Sequence, residues 1–291
     1  MGNRAGVRVL NLLHRRLPLV YKRRLFYWLG EEAPRVDTTW WVDFAGRLIA
    51  LPLRQDFRLA WTAALGFHGY DAELHVLYEA LVRSPRRPRV VFDVGANYGL
   101  HALRFLAVGA RAVAFEPNPA CHQYFRECCA LNGLAAEIHA VAVAEARGSA
   151  RLMVPGDATY LGTIVPAVGE RWAGRPDVTT MTVPQVTLDD VVEEHGEGPD
   201  LVKIDTEGSE LAVLQGAVRV LQRRRPLVVF ESWPSTGDRA ALFDLLDRAG
   251  YGIQAVGWPL RDEAEMAEAA FVASRANNFL ARPRGARLSL R

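Results

Sequence analysis

The stretch Val90-Val-Phe-Asp93-Val-Gly-Ala-Asn-Tyr-Gly99 decides the fold. A β-branched apolar run that ends in an aspartate is typical of a buried strand, and helical spacing of apolar residues begins directly afterwards at Leu100. Gly95 and Gly99 therefore occupy a turn at the carboxyl end of a strand, where open α/β sheets bind ligands. Glycine allows the backbone to approach a ligand closely at the first position and allows tight packing of helix on strand at the second.

Outward from this turn, short apolar runs alternate with helical patterns, which is typical of parallel βαβ units. We predict strands at 89–94, 111–116, 137–143, 200–205 and 226–231, and helices at 99–108, 118–131, 209–221 and 238–249. Three later segments resemble strands that close the sheet: Tyr251–Val256, Ala269–Ala273 and Asn278–Ala281. The expected architecture is α/β, with a mostly parallel sheet and helices on both faces.

Two regions precede and interrupt this pattern. Residues 1–88 form an expected N-terminal cover, with a basic amphipathic helix and a hairpin that joins Trp40–Phe44 to Arg47–Leu51, and the main domain occupies 89–291. Within it, 149–187 is rich in proline and glycine, so we predict turns and an insertion on the substrate side.

The charge pattern bears on partners. A net charge of +2 over 291 residues is too mild to imply nucleic acid. The first 30 residues nevertheless hold basic side chains and no acid: Arg4, Arg8, Arg15, Arg16, Lys22, Arg23 and Arg24. We expect this helix to dock on the main domain or on a second subunit as a homodimer, and contact with nucleic acid or a membrane surface is the alternative.

The absence of three sequence features bears on where the protein resides and on whether it binds a metal. No apolar run reaches the length of about 18 residues that spans a bilayer, and the short run Val9–Leu13 is too brief for a secretory signal. Cys121, Cys128 and Cys129 have no spacing suited to zinc. We therefore expect a cytoplasmic protein with structural thiols and no metal.

Two acids flank the glycine turn. An aspartate two residues before the first glycine would repel a diphosphate, but Asp93 suits the ammonium group of a methionine moiety. Glu116 ends the second strand, where a carboxylate can accept both hydroxyls of a ribose. The alternative is that Gly95 and Gly99 only pack an ordinary Rossmann-like domain.

Several blocks together resemble the FkbM-type methyltransferases: Asp93–Gly99, Ala114–Asn118, Leu131–Gly133, Thr187–Asp190 and Val202–Glu210. The resemblance implies a class I, S-adenosylmethionine-dependent methyltransferase with a Rossmann-like, seven-stranded sheet. It also implies transfer of a methyl group to a hydroxyl of a sugar, polyketide or peptide natural product, with S-adenosylhomocysteine released. A segment around Tyr70 and Asp71 is similar to the lid that covers the cofactor in that family.

By this resemblance, the cofactor-binding residues are Asp93, Gly95, Ala96, Asn97, Gly99, Glu116, Pro117, Asn118, Ala142 and Val143. The resemblance implies that Asp93, Gly95, Asn97 and Gly99 border the methionine part, Glu116 the ribose and Asn118 the region beside it, and that the segment 140–143 flanks the adenine.

Methyl transfer chiefly requires alignment of the reactants and removal of the acceptor proton. Asp205 ends the fourth strand and is the expected base, and strand alternation places Lys203 on its face. His101 is a second candidate base. Glu207, Glu231 and Tyr160 are expected to contact the acceptor.

Simpler roles remain open for these groups. Asp205 or Glu207 would cap the next helix near Gly208, and Lys203 with Asp205 would form a structural ion pair. A cation between Asp205 and Glu231 lacks a visible third ligand, so none is predicted. The alternative function is a cofactor-binding scaffold without catalysis.

Overall fold

A computed structural model describes residues 3–30, 33–156, 161–172, 174–261 and 264–286. Its N-terminal elements are α1 (Arg4–Arg16), α2 (Leu19–Leu29), β1 (Thr38–Phe44), β2 (Arg47–Leu53), α3 (Leu59–Gly69) and α4 (Ala72–Arg83). Pro18 ends α1, because proline has no amide hydrogen and holds the preceding Leu17 extended. The predicted hairpin is confirmed, since β1 and β2 pair antiparallel across Ala45 and Gly46.

The remaining elements alternate along the chain. The first group is β3 (Val90–Val94), α5 (Leu100–Ala107), β4 (Arg111–Phe115), α6 (Pro119–Leu131), β5 (Glu137–His139), β6 (Ala142–Val143), β7 (Gly148–Pro155), α7 (Pro166–Gly169) and β8 (Val178–Val186). The second group is α8 (Leu188–His195), β9 (Leu201–Ile204), α9 (Glu210–Gln215), α10 (Val218–Arg223), β10 (Leu227–Glu231), α11 (Arg239–Arg248), β11 (Tyr251–Ala255), α12 (Glu268–Val272) and β12 (Asn278–Pro283). Short 3-10 turns occupy Glu170–Trp172 and Pro234–Thr236.

Seven strands form one sheet in the order β11-β12-β10-β9-β3-β4-β5. Parallel pairing joins β10, β9, β3, β4 and β5 in that order, whereas β12 runs antiparallel to both of its neighbours, β10 and β11. The carboxyl ends of β3, β4, β9 and β10 therefore meet at one edge. The predicted fold class is confirmed.

The sheet is buried on both faces, as alternation in β3 shows. Val91 belongs to the hydrophobic cluster that includes α5, α6 and the N-terminal elements, whereas Phe92 belongs to the cluster that includes α8 to α12. Val7 of α1 and Phe105 of α5 are members of the same cluster. The N-terminal elements therefore pack in the layer that covers one face of the sheet.

Most predicted strands are confirmed within a residue or two. The predicted strand 137–143 is instead divided into β5 and β6, which belong to different sheets. The segment Ala269–Ala273 is predicted as a strand, but its residues as far as Val272 lie in α12, because a short run of apolar and small residues fits either element. The segment 149–187 contains the antiparallel pair β7 and β8 as well as turns. The predicted helix 209–221 is divided at Gly216, where a Cβ would lie 2.1 Å from the carbonyl oxygen of Ala144.

Three histidines, one each from α1, α3 and α4, are buried together. The ring centroids of His68 and His75 are 4.6 Å apart, and those of His14 and His68 are 5.9 Å apart. Burial lowers the pKa of His14 to about 4, with the nearby charge of Lys22 as a further cause, and lowers that of His75 to about 3. The three rings are therefore neutral in the folded protein at neutral pH, since burial also holds the pKa of His68 well below its usual value.

We expect buried His14 to contribute a loss in the free energy of unfolding as the pH is lowered from 7 to 5, opposite in sign to the contribution of the buried carboxyls whose pKa is raised. The pKa of His14 drops from 6.5 to about 4 on folding, so the unfolded chain binds a proton that the folded chain does not, and the stability present above pH 6.5 is lost below it. His14 alone accounts for about 2 kcal/mol of this loss. Urea unfolding at both pH values measures it.

The substitution His14→Gln should remove about that amount of pH dependence. His195→Gln, at an exposed position, is the matched control and should leave it unchanged. Equal pH dependence in the His14→Gln variant and the unaltered protein would contradict the assignment.

Candidate active site

A cavity of about 280 Å³ opens where the carboxyl ends of β3, β4 and β9 meet. The predicted site residues that line it are Gly95, Ala96, Asn97, His101, Glu116, Pro117, Ala142, Val143, Lys203, Asp205, Glu207 and Glu231. Asp93, Gly99 and Asn118 are not among the described residues that line it. Tyr160 lies outside the described residues.

The loop after β3 is shaped by glycine at two points. Gly95 has a φ of 71° and its amide donates to the carbonyl oxygen of Phe115 at 3.0 Å. A Cβ at Gly95 would lie 1.7 Å from the carbonyl oxygen of Asp205, and one at Gly99 would lie 2.1 Å from the ring of Phe125. The first glycine therefore lets the loops after β3 and β9 touch, and the second lets α5 begin against α6.

Glu116 is held with both carboxylate oxygens engaged. The amide of Asn97 donates to one oxygen at 2.8 Å, and the amide of Asn118 donates to the other at 2.7 Å. Burial raises the pKa of Glu116 to about 7, against the lowering effect of these two amides. Each oxygen keeps a further lone pair for a hydroxyl donor.

Asp93 lies behind the cavity wall and is fully buried. One of its oxygens accepts the amide of Ala102 in the first turn of α5 at 2.9 Å, and the other is 3.8 Å from Nζ of Lys203. Lys203 also donates to Asp205 at 3.1 Å. Burial opposes the charge of Lys203, but the two carboxylates outweigh it and raise the pKa of the ammonium group.

Three carboxylates converge at the edge of the cavity. Asp205, Glu207 and Glu231 each place one oxygen within 4.8 Å of the other two. Burial, followed by the charge of Asp205, raises the pKa of Glu207 to about 8 and that of Glu231 to about 10. At neutral pH these two glutamates therefore hold protons. The same three oxygens could ligate a divalent cation, and Glu207 is the third ligand that the sequence did not reveal.

Glu210 fixes the loop that carries two of these acids. Its carboxylate accepts the amide of Thr206 at 2.9 Å and the hydroxyl of the same residue at 3.0 Å, and it accepts the amide of Gly208 at 3.3 Å. If Asp205 or Glu207 only capped the next helix, one of them would accept these amides. Because Glu210 holds them, both acids line the cavity.

Comparison with known proteins identifies the family. A family model described as the methyltransferase FkbM domain matches residues 93–253, which is more than half of the chain. The chain belongs to the FkbM methyltransferase family. The match includes the end of β3 from Asp93, the loop after it, and the strand ends that carry Glu116, Asp205 and Glu231.

Two relatives support this assignment at the level of sequence. Methyltransferase sdnD of Sordaria araneosa is 30% identical over 210 residues, which is 63% of this chain and 78% of that protein. Hexuronic acid methyltransferase AglP of Haloferax volcanii is 31% identical over 144 residues, which is 49% of this chain and 55% of that protein. This chain thus spans about half the length of AglP.

A solved structure of methyltransferase FkbM from Methylobacillus flagellatus KT has a TM-score of 0.43 and 16% identity to this chain. It aligns with 91% of this chain and 59% of its own.

His101 lines the cavity of this FkbM methyltransferase with no hydrogen-bond partner at Nδ1 in the described structure. Burial holds the pKa of its imidazole well below the usual range, and the charges of Lys203 and Arg104 act in the same direction. A base with so low a pKa takes up a proton weakly at neutral pH. Asp205, the other candidate base, lines the same cavity and accepts a hydrogen bond from Lys203.

Arg104 and Phe26 also line the cavity and were not predicted from the sequence. The Arg104 guanidinium is buried 3.9 Å from the ring centroid of Phe67 and donates to the carbonyl oxygens of Leu100 and Phe67. Phe26 comes from the inner side of α2. Neither could be found from spacing, because both depend on contacts with α3, far away in sequence.

Replacing Gly95 by alanine should destabilise the protein strongly. Alanine at a φ of 71° is strained, and its Cβ would overlap the Asp205 carbonyl oxygen. Gly133→Ala is the matched control, since its φ is 66° and a Cβ there meets nothing within 4 Å. We expect Gly95→Ala to cost at least about 2 kcal/mol more than the control in urea unfolding. Equal losses would show that the two loops do not need this contact.

Proposed function

We propose that this FkbM methyltransferase uses S-adenosylmethionine to methylate a hydroxyl of a small molecule. One observation carries the proposal: the glycine loop, Glu116 and Asp205 line the same cavity. The name of AglP, a hexuronic acid methyltransferase, supports a sugar-like acceptor. Polyketide and peptide acceptors are the other members of the proposed class.

The cavity offers the groups that the cofactor requires. The backbone at Gly95 and Asn97, both at positive φ, would border the methionine part, and the free lone pairs of Glu116 would accept the ribose hydroxyls. Ala142 and Val143, both buried, would flank the adenine. Asp93 would act by holding the start of α5 and Lys203 in place.

When bound, the cofactor would supply an activated methyl group on a sulfonium for transfer to the acceptor oxygen. Asp205 would take the proton of the acceptor hydroxyl, and Lys203 at 3.1 Å keeps that carboxylate oriented and its charge balanced. Glu207 and Glu231, protonated at neutral pH, would donate hydrogen bonds to other oxygens of the acceptor.

The cofactor assignment predicts a binding loss in Glu116→Gln. A glutamine amide would point N–H groups at the backbone amide of Asn97 or Asn118, so that a hydrogen bond is lost and a ribose acceptor removed. We expect affinity for S-adenosylmethionine and S-adenosylhomocysteine to fall at least about tenfold in calorimetric titration. Glu145→Gln, at an exposed position, is the control. If the unaltered protein binds neither compound, the proposed cofactor is wrong.

The base assignment predicts that Asp205→Asn binds the cofactor but loses turnover. We expect the rate with a hydroxylated acceptor to drop at least about a hundredfold, because the acceptor proton has no base. Glu207→Gln is the matched control: glutamine has the shape of a protonated glutamate, so turnover at pH 7 should largely persist. Mass spectrometry of the acceptor, for the gain of one methylene unit, is the measurement.

Two other outcomes are informative. Either of two results would show that the three carboxylates act as a cation site. In the first, Glu207→Gln reduces turnover as much as Asp205→Asn does, and added magnesium restores neither variant. In the second, a chelator abolishes turnover of the unaltered protein. Cofactor binding without turnover on a broad panel of sugars and natural products would instead favour the non-catalytic scaffold.

A further inference from the structure

The outer side of α1 is apolar although its inner side is polar. Val9, Leu12 and Leu13 are 57%, 58% and 59% exposed. The residues that α1 buries are Val7, Asn11 and His14. At 100° per residue the exposed three lie opposite the buried three, so the stripe points away from the protein. A helix that only covered a core would be turned the other way.

This orientation of α1 is fixed by hydrogen bonds. The side-chain amide of Asn11 donates to the carbonyl oxygen of Trp41 at 2.8 Å and accepts the amide of Trp41 at 2.9 Å. Arg15 donates to the carboxylate of Asp43 at 2.9 Å. Rotating α1 to bury its apolar stripe would break all three bonds, so the stripe is a stable surface feature.

The outer side of α2 continues the pattern with larger side chains. Tyr27 and Trp28 are 67% and 77% exposed, and Val20 and Tyr21 are also exposed. They lie away from Leu29, which α2 buries. Tyrosine and tryptophan are the residues that favour the boundary between lipid and water.

The charged side chains of α1 and α2 themselves all have one sign. Five arginines of the two helices are exposed: Arg4, Arg8, Arg16, Arg23 and Arg24. No acidic residue occurs between 3 and 30. The guanidinium groups of Arg23 and Arg24 lie 6.0 Å and 5.8 Å from the ring centroids of Tyr27 and Tyr21. Basic and aromatic side chains therefore share one surface.

We propose that the outer sides of α1 and α2 dock on an anionic lipid bilayer, with both helices lying in its surface. Apolar and aromatic side chains would enter the boundary of the acyl chains, and the arginines would meet lipid phosphates. No described helix is long and apolar enough to cross a bilayer, so the association is peripheral. The proposal goes beyond methyl transfer and does not rest on it.

Two other partners fit this surface less well. A symmetric dimer would place the same surface on both sides of the contact, so the arginines of one copy would face those of the other with no acid of α1 or α2 between them. Nucleic acid would use the arginines but offers little to the exposed aliphatic side chains of Val9, Leu12 and Leu13. A bilayer with anionic headgroups satisfies both the charge and the apolar stripe.

The docking surface is close to the cavity. Phe26 extends from the inner side of α2 and lines the cavity, together with Thr62 and Gly66 of α3. One helix, about 10 Å across, therefore separates the proposed lipid surface from the site. Docking would place this side of the cavity beside the membrane.

Vesicle sedimentation of the full chain tests the proposal. Vesicles of phosphatidylcholine alone should leave the protein in solution, and vesicles that also contain phosphatidylglycerol should sediment it, less so in high salt. Arg8→Gln and Arg24→Gln should each weaken binding about fivefold. Leu12→Ser with Leu13→Ser should weaken it at least about tenfold. Thermal unfolding checks that each variant remains folded.

Val272→Ser with Val218→Ser is the matched control, because these valines are exposed elsewhere on the protein. It should bind as the unaltered protein does. Failure to sediment with anionic vesicles would overturn the proposal. A protein that remains unbound but self-associates through Leu12 and Leu13 in analytical ultracentrifugation, or binds RNA more tightly than vesicles, would overturn it in favour of a subunit or nucleic-acid contact.

Discussion

The contact of Gly95 with the backbone of Asp205 is the constraint on which the site depends. The amide of Asp205 donates to the carbonyl oxygen of Val94 at 3.0 Å, which brings the ends of β3 and β9 level. The loop after β3 can then cross the end of β9 only where no Cβ intervenes. The loop that would hold a cofactor is therefore in backbone contact with the loop whose carboxylates would meet an acceptor. A side chain at position 95 would push the two loops apart.

Below the contact between these two loops, the buried charges of Asp93, Lys203 and Asp205 compensate one another. Lys203 stands between Asp93 and Asp205, at 3.8 Å and 3.1 Å. The oxygen of Asp93 that bonds the first turn of α5 gains from the helix dipole as well. Removing the lysine would leave a fully buried carboxylate without its counter-charge, which is more costly than the pair itself is stabilising. Asp93 thus positions the site through α5 and Lys203, although its place in the sequence predicts direct contact with a cofactor.

The sequence predicted what depends on local pattern. The central strands β3, β4, β9 and β10 are largely apolar runs buried on both sides, and their predicted ends were correct to within a residue or two. Glu116 and Asp205 follow from their positions at strand ends. Ala269–Ala273 was wrong because five apolar and small residues fit a strand or a helix equally until their packing is known.

What the sequence did not show depends on distant contacts. Glu207 joins Asp205 and Glu231 because β9 and β10 are neighbours and because Glu207 adopts a φ of 53°, tied by the hydroxyl of Thr163. Arg104 would be a surface charge on an isolated helix, and its burial against Phe67 requires α3 to lie across α5.

Helix α1 has polar side chains on its inner side and aliphatic side chains on its outer side, and the two features have one cause. The inner side of α1 buries an amide and an imidazole, which is unfavourable unless the groups are satisfied. Asn11 is satisfied by the backbone of β1. Neither ring nitrogen of His14 has a hydrogen-bond partner among the described residues, and the ring, 5.1 Å from that of Trp40 between centroids, is buried in its uncharged form. That arrangement turns the aliphatic side chains outward. Acid would therefore loosen α1 from β1 through His14, whereas its outer side has no group that titrates in the same range and would keep its affinity for an anionic surface.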